Sequence, residues 1–231
     1  MLGLTAPEII ARVIILLVAF TIHELAHAWV ADQLGDSTPR RMGRLTLNPL
    51  AHLDPVGSLL LVFAGFGWAK PVLTNPYNFR NGPRLGMAVV AAAGPFSNLL
   101  MAILAGIPFQ LGLLEVSRRF NTVGGLLPSL EYFQVNILLM LFNLLPVGPL
   151  DGMKVLRGFA PREWDSALNL LEQWGMFILL ALVFLGQRLL ALVLGTPAGL
   201  LINLILGQCP AAALPPPSRS PIRSTAPRSR A

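Results

Sequence analysis

A single cysteine, Cys209, stands among 231 residues, so the chain can form neither an internal disulfide nor a cysteine-rich metal site. Cys209 reads as an incidental thiol beside the tail. Charge is scarce as well: 12% of residues are Asp, Glu, Lys or Arg, against 54% hydrophobic. Soluble domains carry about a quarter charged residues, which excludes an ordinary soluble globule here and points to a membrane protein. The mean hydropathy of +0.65 agrees. A formal net charge of +6 does not indicate nucleic acid, because the bases cluster in loops between apolar runs and in the tail. That distribution suits charge facing the cytoplasm and anionic headgroups of a lipid bilayer. No basic segment precedes the first apolar run, so a signal peptide is not expected. No internal repeat is present, and no loop between apolar runs has room for a folded accessory domain.

The expected fold is all-α and polytopic, a bundle of about five transmembrane helices (alternatively four) with a re-entrant or interfacial loop after the first. The five apolar segments cover 7–31, 86–113, 131–150, 168–186 and 189–207. A crossing needs about 20 residues. The last two segments are separated by "GQR", Gly186–Arg188, read as a tight hairpin. The final one contains Gly195, Pro197 and Gly199 and can instead lie at the interface, which leaves four spans. "VGSLLLVFAGFG", Val56 to Gly67, is about half the crossing length and reads as the re-entrant or interfacial segment. The "GFGW" aromatics read as interfacial anchors. Residues 1–209 form one domain with its core at 7–152, and the Pro/Ser/Arg-rich tail 210–231 is expected to be disordered.

Arg40, Arg41, Arg44, Lys70, Arg80 and Arg84 follow the first span, and Lys154, Arg157 and Arg162 follow the third. The opposite side carries Arg12, Arg118 and Arg119. The positive-inside bias therefore puts the first loop in the cytoplasm and the N-terminus outside. Five spans also bring the basic tail inside.

Against this background "FTIHELAHAW", Phe20 to Trp29, is out of place. Ionisable side chains at a helix centre cost roughly 2.5–3.5 kcal/mol each on the milder insertion scale, and His23, Glu24 and His27 fall within little more than one turn. Their H-E-x-x-H spacing puts both imidazoles on one helix face, able to share a tetrahedral zinc, with Glu24 as general base. A polar patch packed against other spans is the plainer alternative. A catalytic zinc needs a third protein ligand. The longer pattern with a third histidine is absent, since Val30 stands three residues beyond His27. The candidates are His52 and a carboxylate, and Asp151 in "FNLLPVGPLDG" stands out. At about 1.5 Å per residue, His23 and His27 lie roughly 21–27 Å along the first span from Ile9, and Asp151 roughly 30 Å from Glu131. Both spans run inward, so the two motifs reach similar depths in the cytoplasmic third of the bilayer. Depth therefore favours Asp151 over His52.

"HELAH" followed by "FNLLPVGPLDG" resembles the site-2 protease family of intramembrane zinc metalloproteases. "NPLAHLDPVG" (Asn48 to Gly57), "GWAKPV" (Gly67 to Val72) and "AAGPFSN" with Gly94, Pro95 and Asn98 resemble its short prokaryotic forms, without PDZ or CBS domain. The likeness covers about residues 7–152, in family order. It implies one Zn2+ per chain on His23, His27 and Asp151, with Glu24 activating water. It also implies a transmembrane protein substrate cut in or near its membrane segment, and a multi-pass protein of the cytoplasmic membrane with its site in the cytoplasmic half.

Further candidates rest on position. Asn143 lies eight residues before Asp151, about two turns on one helix, and can donate to an oxyanion or bond between helices. Asn98 beside "AVVAAAG" suits close helix packing or, with Thr21, Glu24, Asn143 and Asp151, a wet cavity. His52 and Asn48 suit loop organisation or substrate binding. Two other functions compete: a non-proteolytic metal-binding or transport protein, and a catalytically silent scaffold for transmembrane helices. The first leaves Glu24 unexplained, and the intact ligand set argues against the second.

Overall fold

The computed structural model describes residues 6–55, 57, 69–113 and 129–206. Most of the Val56–Gly67 segment, the "GFGW" aromatics, Arg118, Arg119, Cys209 and the tail lie outside the described residues.

The described chain is helical. Its elements are α1 (Ala6–Gln33), α2 (Thr38–Arg41), α3 (Pro83–Gln110), α4 (Ser129–Asn143), α5 (Asp151–Phe159), α6 (Asp165–Gln173), α7 (Gly175–Phe184) and α8 (Gln187–Leu206). Among the described residues the only β pairing is one antiparallel bridge, Leu53 with Ala69. Among the described residues three stretches are long and apolar enough to cross a membrane: Ile10–Gln33, Pro83–Gln110 and Gln187–Leu206. A fourth is added if Arg162–Gln173 and Gly175–Phe184, bent by 56°, count as one broken span. At 1.5 Å per residue the 28-residue α1 and α3 each reach about 42 Å.

Two expected spans are broken rather than continuous helices. The segment 131–150 is not one helix: α4 stops at Asn143 after 15 residues, about 22 Å. "LLPVGPL" then forms a turn through a cis Gly148–Pro149 bond, because its two prolines cannot donate to a helical ladder. The segment 168–186 likewise breaks at Trp174, between α6 and α7.

α3 is the central element, packed against α1, α4, α5 and α8. Close approach comes from small side chains. Ala19, Ala28 and Ala31 of α1 and Ala88, Ala91 and Ala102 of α3 are all essentially sealed. Farther along α3, Ala102 meets Phe133 and Ile137 of α4 and Ala198 and Ile205 of α8. Outward faces are apolar as well: Ile10, Ile14 and Val18 on α1, Phe96, Leu100 and Leu104 on α3, and Leu192, Leu200 and Leu204 on α8 are exposed. A helix hydrophobic all round belongs in lipid.

The loop after α1 is built on buried polar groups. Gly35 ends α1 with φ +112°, a conformation other residues resist. Asp36, fully buried, accepts from Thr38 N at 3.1 Å, Thr38 Oγ1 at 2.6 Å, Asn75 N at 2.6 Å and Asn78 Nδ2 at 2.9 Å. Arg44, also buried, donates to the carbonyls of Ala51 (2.7 Å), Lys70 (3.1 Å) and Pro71 (3.0 Å). These two side chains close both ends of the loop.

Burial pushes the Asp36 carboxyl up, but the bonds from Thr38, Asn78 and Asn75 outweigh it and hold the group below the ordinary value. A depressed carboxyl stabilises the fold above its unfolded pKa and ceases to do so as pH falls through its folded one. Asp36→Ala is expected to cost about 1.5–3 kcal/mol at pH 7, read as a lower unfolding temperature in detergent. The gap to wild type should narrow on acidification below about pH 4.

Candidate metal centre

The last turns of α1 carry His23, Glu24 and His27, all buried, and the metal-binding atoms of these three lie within 4.8 Å of one another. The two rings stand edge to face, with centroids 4.6 Å apart and planes at 88°. His23 Nε2 and His27 Nε2 are 3.0 Å apart. Asp151, the first residue of α5, brings Oδ2 to 3.1 Å from His23 Nε2 and 3.2 Å from His27 Nε2. Its other oxygen faces Lys154 Nζ at 3.9 Å.

The outer ring nitrogens are engaged. His23 Nδ1 lies 2.5 Å from Asn98 Oδ1 and His27 Nδ1 lies 2.7 Å from the Val90 carbonyl. Both partners are acceptors, so each Nδ1 carries a proton, and in the neutral ring each Nε2 presents a lone pair. Two lone pairs and a carboxylate facing one another repel unless a cation lies among them. On a tetrahedral zinc with bonds of about 2.0–2.1 Å, ligand atoms stand about 3.3 Å apart, close to the three separations here. The donor set thus fits zinc, and its outer partners are of the kind that fix such histidines.

Glycines admit this convergence. A Cβ on Gly94 would fall 2.5 Å from His23 Cε1 and press into the His27 ring, so α3 can lie against the imidazoles only with glycine there. α3 stays one helix through Pro95. A Cβ on Gly152 would collide with the Leu144 and Leu145 carbonyls, so the "DG" pair lets the turn fold tightly and aim Asp151 back. Gly175, at the α6–α7 break, seats against Gly148 and supports that turn from behind.

The other candidates fall in different places. Asn143 and Asp151 share no helix face, because α4 ends at Asn143, whose Nδ2 donates to Leu139 O at 3.0 Å. The 30 Å measured along one helix is likewise replaced by a helix and a turn, although Asp151 does meet the histidines. His52 donates from Nε2 to Thr46 O at 2.9 Å and lies outside the metal cluster. Asn48 caps the short turn Pro49–Ala51 through Leu50 N. Thr21 Oγ1 donates to Leu17 O and lines a mostly apolar cavity of about 140 Å³ with Leu17, Val18, Ile22, Leu47 and Pro49. At 100° per residue that cavity opens on the face of α1 away from the histidines. Asn98 is fully buried and bonded, so it lines no cavity. Among the described residues no hydrogen bond engages the Glu24 carboxylate.

Sequence reasoning passed over Asn136, the amide partner of Asn98 at 2.9 Å. Its signal was a lone Asn in "FQVNILLM", an apolar run where an unpartnered amide is costly.

No protein-family model matches the chain, and no solved structure matches it significantly. Curated relatives do. The chain is 43% identical over 175 residues to "Putative zinc metalloprotease YwhC" of Bacillus subtilis, covering 74% of this chain and 78% of that protein. It is 29% identical over 177 residues to "Putative zinc metalloprotease Rip2" of Mycolicibacterium smegmatis, covering 72% and 64%. The Rip2 protein of Mycobacterium tuberculosis is 30% identical over 183 residues, covering 75% and 66%.

Gly94→Ala tests the convergence directly. The variant is expected to keep the helical circular-dichroism signal of the wild type yet lose most of its bound metal, measured as zinc per polypeptide after purification.

Proposed function

Because the chain belongs to the site-2 protease family of zinc metalloproteases, we infer that it is an intramembrane protease that hydrolyses peptide bonds in or near transmembrane segments of membrane proteins. His23, His27 and Asp151 would hold one zinc, and Glu24 is the general base. The observation that carries this assignment is the triangle of Nε2, Nε2 and Oδ2 atoms at 3.0, 3.1 and 3.2 Å, with both Nδ1 atoms turned outward onto acceptors.

Zinc, when bound, supplies the Lewis acidity that polarises the scissile carbonyl and lets water attack near pH 7. The chain's own groups do the rest. Glu24 sits one residue from His23 and takes the proton of the attacking water on its carboxylate. It then returns that proton to the leaving amide nitrogen. Asn98 and Val90 hold the imidazoles in their ligating orientation, and Asp151 supplies the negative charge. Burial of all four groups restricts water to what the reaction consumes.

In the membrane, α1, α3 and α8 make three crossings. α4, the Leu144–Leu150 turn and α5 supply a further one. Ala198 of α8 lies beside Ala102, and Gln110 at the end of α3 donates to the Ile205 carbonyl. α8 therefore runs the same way as α3, and the bent α6–α7 pair re-enters rather than crosses, which makes four. The positive-inside bias of Arg40, Arg41, Lys154 and Arg157 supports a zinc in the cytoplasmic half of the inner membrane. A transmembrane substrate hides its amides in helical hydrogen bonds and must unwind to be cut. The loop 45–80 is the proposed receiver. The Leu53–Ala69 bridge, with Lys70 N donating to His52 O at 2.8 Å, supports an edge on which an extended segment can add as a strand.

Glu24→Gln is expected to retain one zinc per chain while cleavage of a membrane substrate falls by about 10²–10⁴-fold. Asp151→Ala is expected to lose both. Substantial proteolysis by the glutamine variant would refute the base assignment. Arg44→Met, which releases three loop carbonyls, should slow cleavage of a native substrate while zinc stays bound. Undiminished cleavage would remove the loop from substrate binding.

A further inference from the structure

The fully buried Asn98 and Asn136 form a directional chain between the metal centre and α4. Asn136 Nδ2 donates to the Tyr132 carbonyl at 2.8 Å, Asn98 Nδ2 donates to Asn136 Oδ1 at 2.9 Å, and Asn98 Oδ1 meets His23 Nδ1 at 2.5 Å. One end cannot be reversed. A main-chain carbonyl only accepts, so the group of Asn136 that faces Tyr132 O must be its NH2. Its oxygen must then face Asn98, which has to answer with its own NH2. The Asn98 oxygen is thereby turned to His23, whose Nδ1 must carry the proton. In the neutral ring, His23 Nε2 is then the lone pair toward His27 and Asp151. Each choice is forced by the previous one.

Resting on the zinc assignment above, we propose that Asn136 is a positioning residue. From a third helix, and through Asn98, it holds His23 in the tautomer that can bind metal. Without it the Asn98 amide is free to turn over and present NH2 to His23 Nδ1. That favours the ring form protonated on Nε2, which cannot ligate. His27 needs no such chain, because Val90 O is itself an irreversible acceptor on α3. The two metal-binding rings are therefore secured differently: one by backbone directly, the other by backbone through two amides.

Zinc affinity of the purified full chain, measured by competition with a chelating dye, tests this. Asn136→Leu is expected to weaken zinc binding by about 10–100-fold, the range for loss of a group behind a ligating histidine. Adding Asn98→Asp to Asn136→Leu should restore it, because a carboxylate at position 98 accepts from His23 Nδ1 whichever way it turns. Wild-type affinity in Asn136→Leu would overturn the proposal. So would failure of the double variant to recover, which would assign Asn136 to packing between α3 and α4. A second readout needs no variant and no metal. Nitrogen-15 imidazole spectra of metal-free wild type, with only three histidines, should show His23 carrying a proton on Nδ1, and an unprotonated Nδ1 would refute the relay. Wild type that binds no zinc while His23 keeps its Nδ1 proton would sink the metalloprotease reading and leave the relay standing.

Discussion

Two neutral imidazoles whose Nε2 atoms stand 3.0 Å apart, with their protons directed away, repel a carboxylate oxygen and one another until a cation, metal or proton, draws them together. The bundle is arranged around this requirement. It needs two rings on successive turns of one helix, a carboxylate from a distant part of the chain, and acceptors behind each ring. It also needs these groups away from bulk water, where the attraction is strong and an unpaired group is expensive.

Helices in lipid gain little from burying apolar surface against one another, so they approach through small residues and polar bonds. α3 is built for both. Its alanines seal the contact with α1, Gly94 leaves room for the rings, and Val90 and Asn98 present the acceptors that orient them. The same economy appears where Asp151 enters. A helix carried straight on would set Asp151 about 12 Å beyond Asn143. The proline-rich turn breaks it, Gly152 allows the fold to tighten, and Gly175 closes over the turn from the other side.

The loop after α1 follows the logic of a protein interior rather than of a flexible connection. Asp36 and Arg44 are buried charges whose bonds are all to the loop itself or to its immediate neighbours. Such groups are tolerated only when fully satisfied. Their effect is to tie Ala51, Lys70 and Pro71 to Arg44, and Asn75 and Asn78 to the end of α1.

What the sequence by itself determined was chemistry tied to local spacing. Apolar runs longer than a bilayer crossing marked α1, α3 and α8, because length and composition decide whether a helix is stable in lipid. The H-E-x-x-H spacing placed His23 and His27 together, because 3.6 residues per turn leaves no other outcome on a helix. Asp151 was reachable by matching depth, although the single straight helix used to measure it does not exist. Tertiary structure alone decided where α4 ends, that Asn143 bonds back to its own helix, and that α6 and α7 bend apart. It also decided that Gly94 is a clearance and that Asn136 stands behind Asn98. These depend on which side chain lies opposite which across helices dozens of residues apart, and no periodicity along one strand of sequence carries that information.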